Sequence, residues 1–171
     1  MNPFTAQYFV EKYQMQIHPE GGYYRETYRS PEMISYHNLP LRYSESRSFS
    51  TSIYFLMESH HFSAFHRIQS DEMWHFYYGC PVHVYVIDEK GNLEILKVGQ
   101  NPESGELFQA LVPAGCWFAS HPAEPESFSL VGCTVAPGFD FADFEIANTD
   151  ELVSQFPEHE AVIRKFSKQQ I

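Results

Sequence analysis

Phe65-His66-Arg67-Ile68-Gln69-Ser70-Asp71-Glu72-Met73-Trp74-His75-Phe76-Tyr77-Tyr78-Gly79 contains two β-like runs joined by a polar turn, and its alternation decides how the chain folds. In an extended run successive side chains point to opposite faces. His66 and Ile68 therefore share one face, and after the turn Glu72, Trp74 and Phe76 share one face. The large apolar partners mark that face as the interior. An imidazole and a carboxyl among aromatic rings need partners, because burying either one alone is costly. The pattern predicts that His66 and Glu72 pair with each other, with a ligand or with a metal. His75 follows Glu72 by three residues on the same run and is expected to point outward.

Outward from this stretch, short runs of β-forming residues recur. Strands are predicted over 23–28, 50–57, 63–68, 73–78, 82–87, 93–98, 107–112, 116–119 and 128–135. Asp88-Glu89-Lys90-Gly91-Asn92, Asn101-Pro102-Glu103-Ser104-Gly105 and Pro113-Ala114-Gly115 separate them with turn chemistry. So many short strands indicate a sandwich or barrel. His18-Pro19-Glu20-Gly21-Gly22 reads as a turn before the first strand, with His18 a turn residue, and 30–47 as a polar loop or excursion bordering a site. Thr5 can cap a helix whose apolar stripe is Phe9, Val10 and Tyr13. Near the other end Thr149 can cap a helix with Leu152 and Phe156, and Pro157 can start another with Ile163 and Phe166. The expected organisation is one domain over 1–171, mainly β, with a barrel core at about 18–140 and helices at about 149–168.

Eleven basic residues against 22 acidic ones give a formal charge of −11, which repels phosphate backbones and anionic lipid. Nucleic acid and membrane are thus not the expected partners. Aromatic residues make up 16% of the chain, which suits a pocket with apolar walls and polar rims. Cys80, Cys116 and Cys133 cannot all pair within one chain and have no zinc-knuckle spacing. With no secretory signal or bilayer-length apolar run in the sequence, the expected compartment is the cytoplasm.

His66, Glu72 and Gly79 stand at the spacing of the first cupin motif, and Val112-Pro113-Ala114-Gly115 resembles the second. Glu20-Gly21-Gly22-Tyr23-Tyr24-Arg25-Glu26-Thr27-Tyr28 is similar to the first strand of the dTDP-sugar epimerase branch of cupins. Together with Ser70-Asp71-Glu72-Met73-Trp74-His75-Phe76-Tyr77, these stretches resemble a functionally uncharacterised cupin family. The resemblance implies a double-stranded β-helix, the cupin jelly-roll barrel. It also implies a homodimer that exchanges N-terminal strands, placing Tyr24 or Glu26 near the partner's pocket.

The departures matter as much. Ile68 and Phe118 stand where metal-binding cupins carry two further histidines, which leaves His66 and Glu72. Two protein ligands are too few for a tight site, although a weakly held divalent ion with waters is compatible with them. No cofactor is expected. Against the epimerases, Gly21 and Ser63 replace arginines and Glu72 replaces a lysine, so the groups that would hold a nucleotide diphosphate are missing. His66 falls where those enzymes have their base. The resulting expectation is a cupin that binds a small polar metabolite, a sugar or sugar phosphate, and isomerises or epimerises it with His66 as base and Glu72 beside it. Arg25 and Arg67 would neutralise an anionic group, and Tyr24, Glu26, Trp74, Tyr77, Trp117 and Phe118 would line the site. The alternatives are a non-catalytic binding or sensing cupin and a metal-dependent dioxygenase.

Overall fold

A computed structural model describes residues 4–168; Met1–Pro3, part of the stretch read for a signal, and 169–171 lie outside it. Helix α1 (Ala6–Lys12) starts where expected, because the Thr5 hydroxyl accepts the Tyr8 N–H at 3.1 Å. Strands β1 (Gln16–Ile17), β2 (Tyr23–Arg29), β3 (Met33–Ile34), β4 (Arg47–Ser48), β5 (Thr51–Glu58), β6 (Ser63–Arg67) and β7 (Asp71–Gly79) follow. The second half carries β8 (Val82–Ile87), β9 (Leu93–Val98), β10 (Gln109–Val112), β11 (Trp117–Pro122), β12 (Phe128–Ala136) and β13 (Glu145–Ile146). Helices α2 (Thr149–Gln155) and α3 (Glu160–Lys165) close the described chain. Asn148, rather than Thr149, caps α2: its side chain accepts the N–H groups of Asp150 and Glu151.

The strands form two main sheets of a jelly roll. One has the order β1-β2-β5-β12-β7-β10 and the other β13-β6-β11-β8-β9, while β3 and β4 make a separate two-stranded ribbon. Between the sheets, the inward residues Phe55, Met57, Trp74, Val84, Val86, Phe118 and Val131 pack into the barrel core. The alternation inferred from sequence holds, with Glu72 and Trp74 buried on β7 and His75 turned outward to bond Thr134 and Gln109. Two further apolar layers lie outside the barrel. The C-terminal helices set Leu152, Phe156, Ile163 and Phe166 against Phe65, Ile87 and Trp117. Helix α1 covers the outer face of the six-stranded sheet, with Phe9 against Leu56, Phe128 and Leu130.

The segment read as a polar loop is more ordered than its composition suggests. Tyr43 is 2% exposed, and its hydroxyl donates to the Gln69 carbonyl at 3.0 Å and meets the Ser70 hydroxyl at 2.8 Å, so the excursion packs on the β6–β7 turn. Arg47 is equally buried. Its Nε and Nη2 donate to the two carboxylate oxygens of Asp143 at 2.7 and 2.6 Å. This bidentate pair ties β4 to the short turn Phe141–Asp143, and Phe139, Phe141 and Phe144 pack edge to face with one another there.

Removing one partner leaves a buried charge without compensation, which typically costs about 3–5 kcal/mol. Asp143→Ala is expected to lower stability by about that amount in urea denaturation. Replacing both partners, Arg47→Met with Asp143→Leu, should recover most of the loss.

Candidate functional site

Between the sheets, at the end of the barrel nearest this aromatic turn, lies a cavity of about 310 Å³. Its apolar wall is Ile53, Phe55, Ile68, Val135 and the cluster Phe139, Phe141 and Phe144. Its polar groups are His18, Glu20, His66, Glu72 and Cys133, with Tyr24, Glu26 and Arg29 on β2 at one side.

His66 comes from β6 and is 2% exposed, packed at 4.1 Å against the Phe118 ring. Its partner is Glu20 rather than Glu72: His66 Nε2 lies 3.0 Å from Glu20 Oε2. The other ring nitrogen, Nδ1, lies 2.8 Å from the Ala64 carbonyl, an acceptor, so Nδ1 carries the proton and Nε2 is the acceptor. One proton then fits between Glu20 and His66. Burial holds His66 down at about 3, despite the Ala64 bond and with nearby His18 adding to the effect. Burial first, and the charge of Glu72 second, push Glu20 well above the usual carboxylate range, against the Ser63 hydroxyl and Lys168. Both directions describe a neutral pair, in which protonated Glu20 donates to His66, rather than the ion pair that the distance alone would allow. Both nitrogens of His66 are engaged, so its expected role as a free base does not fit this geometry.

Glu20 reaches the cavity because of backbone geometry that the turn reading missed. The His18–Gly22 turn closes on itself, with the His18 N–H donating to the Gly22 carbonyl at 2.9 Å and the Gly21 N–H to the His18 carbonyl at 3.0 Å. It also docks on β6, where the Ala64 N–H donates to the Glu20 carbonyl at 3.0 Å. Gly21 adopts φ +120°, and a Cβ there would lie 2.1 Å from the Phe62 carbonyl oxygen, so only glycine permits the approach. Ser63, at the position of an epimerase arginine, donates its hydroxyl to Glu20 Oε1 at 2.8 Å.

His18 is not an exposed turn residue. It is buried, edge-on to Tyr24 at 4.8 Å and near-parallel to Phe141 at 6.1 Å, and burial with nearby Lys168 lowers it to about 4. His18 Nδ1 lies 3.4 Å from the Glu20 N–H, which donates to it, and 3.3 Å from Glu20 Oε2, whose proton is directed to His66. With Nδ1 as the acceptor of the backbone N–H, the ring proton sits on Nε2. Glu72, at the start of β7, is partnered by Cys133 on β12. Burial raises Glu72 to about 7 although the thiol's hydrogen bond pulls the other way. The same burial, together with the Glu72 charge, keeps Cys133 in its thiol form.

The remaining candidates divide. Tyr24 and Glu26 line the cavity, and Arg29, not singled out from sequence, donates to both oxygens of Glu26 at 3.1 and 2.8 Å. Arg25 stands opposite Tyr54 in register, on the other face of β2, while still bordering the cavity. Arg67 and Trp117 lie outside the barrel, the guanidinium 4.4 Å above the indole and paired with Glu145 at 2.7 Å. Trp74 is in the barrel core away from the cavity wall, edge-on to Phe55 and Phe118. Tyr77 is on the outer face, lying over Gly132, where a Cβ would come within 2.3 Å of its hydroxyl. Phe118 touches His66 but not the cavity. The period-two rule explains Tyr77 and Trp117, because each is an odd step from an inward neighbour.

These donors do not fit a tight metal site. Ile68 and Phe118 fill two of the four positions used by metal-binding cupins, and protonated Glu20 occupies His66 Nε2. Among the described residues, neither His66 nor Glu72 belongs to a group of three candidate ligands within 4.8 Å of one another.

Residues 7–147 match the family described as Cupin superfamily (DUF985). An uncharacterized protein of Saccharomyces cerevisiae is 31% identical over 161 residues, covering 88% of this chain and 79% of that one. A crystal structure of a protein from Shewanella oneidensis superposes with TM-score 0.88 at 38% identity, covering 98% and 99% of the two chains. A hypothetical protein from Leishmania major gives 0.86 at 36%, covering 97% and 100%. Oxalate decarboxylase from Bacillus subtilis aligns at TM-score 0.55 and 17% identity, covering 90% of this chain and 37% of that one, a likeness of fold alone. The motif at His66, Glu72 and Gly79, the jelly roll around it and the match over 7–147 place the chain in the DUF985 family of the cupin superfamily.

Proposed function

We propose that the barrel cavity binds a small polar metabolite of sugar size and exchanges a proton with it, with Glu72 as the base. The observation that carries this reading is the arrangement of the buried polar groups. Glu20 and His66 satisfy each other, while Glu72 faces the cavity with only a thiol as partner. A carboxyl raised to about 7 is divided between its two forms near neutrality, where a general base works best. His18, neutral and with its proton on Nε2, is the donor suited to an oxygen that gains negative charge. In an isomerisation or epimerisation, Glu72 takes the proton from the carbon beside a carbonyl. The C–H electron pair forms the C=C bond of an enolate whose oxygen charge is held by His18 Nε2–H. In an isomerisation Glu72 then returns the proton to the former carbonyl carbon while the hydroxyl proton passes through His18 to the other oxygen. In an epimerisation water protonates the opposite face of the same carbon and Glu72 gives its proton to solvent.

The walls suit such a ligand. Phe139, Phe141 and Phe144 offer ring faces, and the volume lies at the lower end of small-molecule sites. Arg25 at the mouth is the cation available to a phosphate or carboxylate, since Arg29 is held by Glu26 and the Phe139 carbonyl. His66 acts as a positioning residue that keeps Glu20 protonated and in place. No cofactor enters this reading, and the compartment we propose is the cytoplasm.

A homodimer belongs to the same reading. Within the chain β2 pairs with β5, so Tyr24 and Glu26 line this chain's own cavity. Beyond β2, among the described residues, only the two exposed residues of β1 pair along the sheet edge, which leaves an edge for a second copy.

Incubation with candidate ketoses or 4-keto-sugars in D2O should give deuterium at the carbon beside the carbonyl, and Glu72→Gln should slow this by roughly 100-fold or more. Exchange that is unchanged in Glu72→Gln would place the base elsewhere. A metabolite that co-purifies and never exchanges would favour the non-catalytic binding reading. Stability has its own signature, because the folded chain keeps a proton on Glu72 that the unfolded chain releases between about pH 4.5 and 7. The contribution is full below about 4.5 and is lost as pH rises through about 7. Glu72→Gln should therefore gain on the parent protein with rising pH, by about 3 kcal/mol at most, in urea denaturation across that range. Sedimentation at micromolar concentration should return twice the chain mass of 19.9 kDa, and a monomeric mass would remove the dimer from the proposal.

A further inference from the structure

Away from the cavity, the turn between β5 and β6 brings Glu58, His60 and His61 together. It is the one group of three among the described residues whose ligand atoms lie within 4.8 Å of one another. Glu58 Oε2 is 3.9 Å from His60 Nε2 and 3.9 Å from His61 Nδ1, and the two rings are 4.1 Å apart. Those gaps are too long for hydrogen bonds. Independently, His61 Nδ1 is buried and has no hydrogen-bond partner. Buried polar atoms in folded proteins nearly always have one, and an unpaired nitrogen aimed at a carboxylate is the arrangement that an intervening cation satisfies.

The backbone beneath the group is already set. Glu58 ends β5 opposite Phe128 of β12, and the Ser59 N–H donates to the Ser127 carbonyl at 2.9 Å. The His61 N–H donates to the Glu58 carbonyl at 2.8 Å, and His121 Nε2 bonds the Ser59 carbonyl at 3.0 Å. The turn is thus pinned from three sides, and only side-chain torsions remain to be adjusted.

We propose that Glu58, His60 and His61 bind a divalent transition-metal ion of the zinc type, through one carboxylate oxygen and two imidazole nitrogens, with water in the remaining positions. Ligands about 2.0–2.2 Å from a tetrahedral ion stand roughly 3.4 Å apart, so a small swing of the side chains closes the site. Two imidazoles and a carboxylate select zinc, nickel or copper over magnesium and calcium, which take oxygen ligands. Glu126 lines the hollow shared by Glu58 and His60 and adds to the negative potential there. The ion would brace the segment whose next residues hold the cavity, since Phe62 meets Gly21 and Ser63 bonds Glu20. The proposal stands apart from the chemistry assigned to Glu72.

The test is titration of untagged protein with Co2+ followed by Zn2+. We expect one ion per chain, visible Co2+ ligand-field bands with affinity of about micromolar order, and displacement of those bands by Zn2+. His60→Ala and His61→Ala should each weaken binding by roughly tenfold or more, while Glu72→Gln keeps it. His60 is an exposed side chain, so its loss leaves folding intact, as a thermal melt without metal would verify. The proposal is overturned if no bands develop at millimolar Co2+, if they survive the His60→Ala/His61→Ala double variant, or if Glu72→Gln abolishes them instead.

Discussion

The cavity is organised by the 3.0 Å contact between Glu20 and His66, two groups that water would otherwise have to solvate. Each removes the other's unsatisfied atom, and the Ser63 hydroxyl and Ala64 carbonyl take up what is left. With that pair closed and neutral, the polar capacity left facing the cavity belongs to Glu72, to His18 and to the rim. If either member were charged and alone, the aromatic wall around it would be a liability instead of a binding surface.

The contact depends in turn on how closely two backbones approach. Gly21 lies so near the Phe62 carbonyl that no side chain fits between them, and this closeness carries Glu20 across to β6. The adjoining wall is held by another buried pair. Arg47 and Asp143 anchor the turn that displays Phe141 and Phe144 to the cavity. Both walls are thus fixed by segments outside the central strands. The cavity lies at the loop-bearing end of the barrel, and the closely packed interior around Trp74 and Phe118 fills the rest.

Much of this was legible from local pattern. The alternation through Glu72, Trp74 and His75 assigned the faces of β7, and the predicted strand over 82–87 coincides with β8 because Val82, Val84 and Val86 alternate cleanly with polar or larger neighbours. The site was legible in part. His66 and Glu72 were found because they sit on regular strands at a recognisable spacing. Glu20 and His18 were overlooked because a proline and two glycines around them give the composition of a surface turn, and composition does not say what a turn packs against. Arg67 and Trp117 were drawn toward the pocket by their chemistry, yet strand parity puts them on the helix-covered face.

What the amino-acid sequence determined by itself is therefore the set of strands, their inward and outward faces, and two buried polar groups that must find partners. Those properties follow from period-two geometry and from the cost of burying polar atoms, and both act within a few residues of chain. Only the tertiary structure decided which partners they find. The distance from Glu20 to His66, from Glu72 to Cys133 and from Arg47 to Asp143 is set by how the sheets and their connecting turns pack, over separations of dozens of residues. No local preference encodes such a distance, because it is the sum of every turn and strand between the two ends.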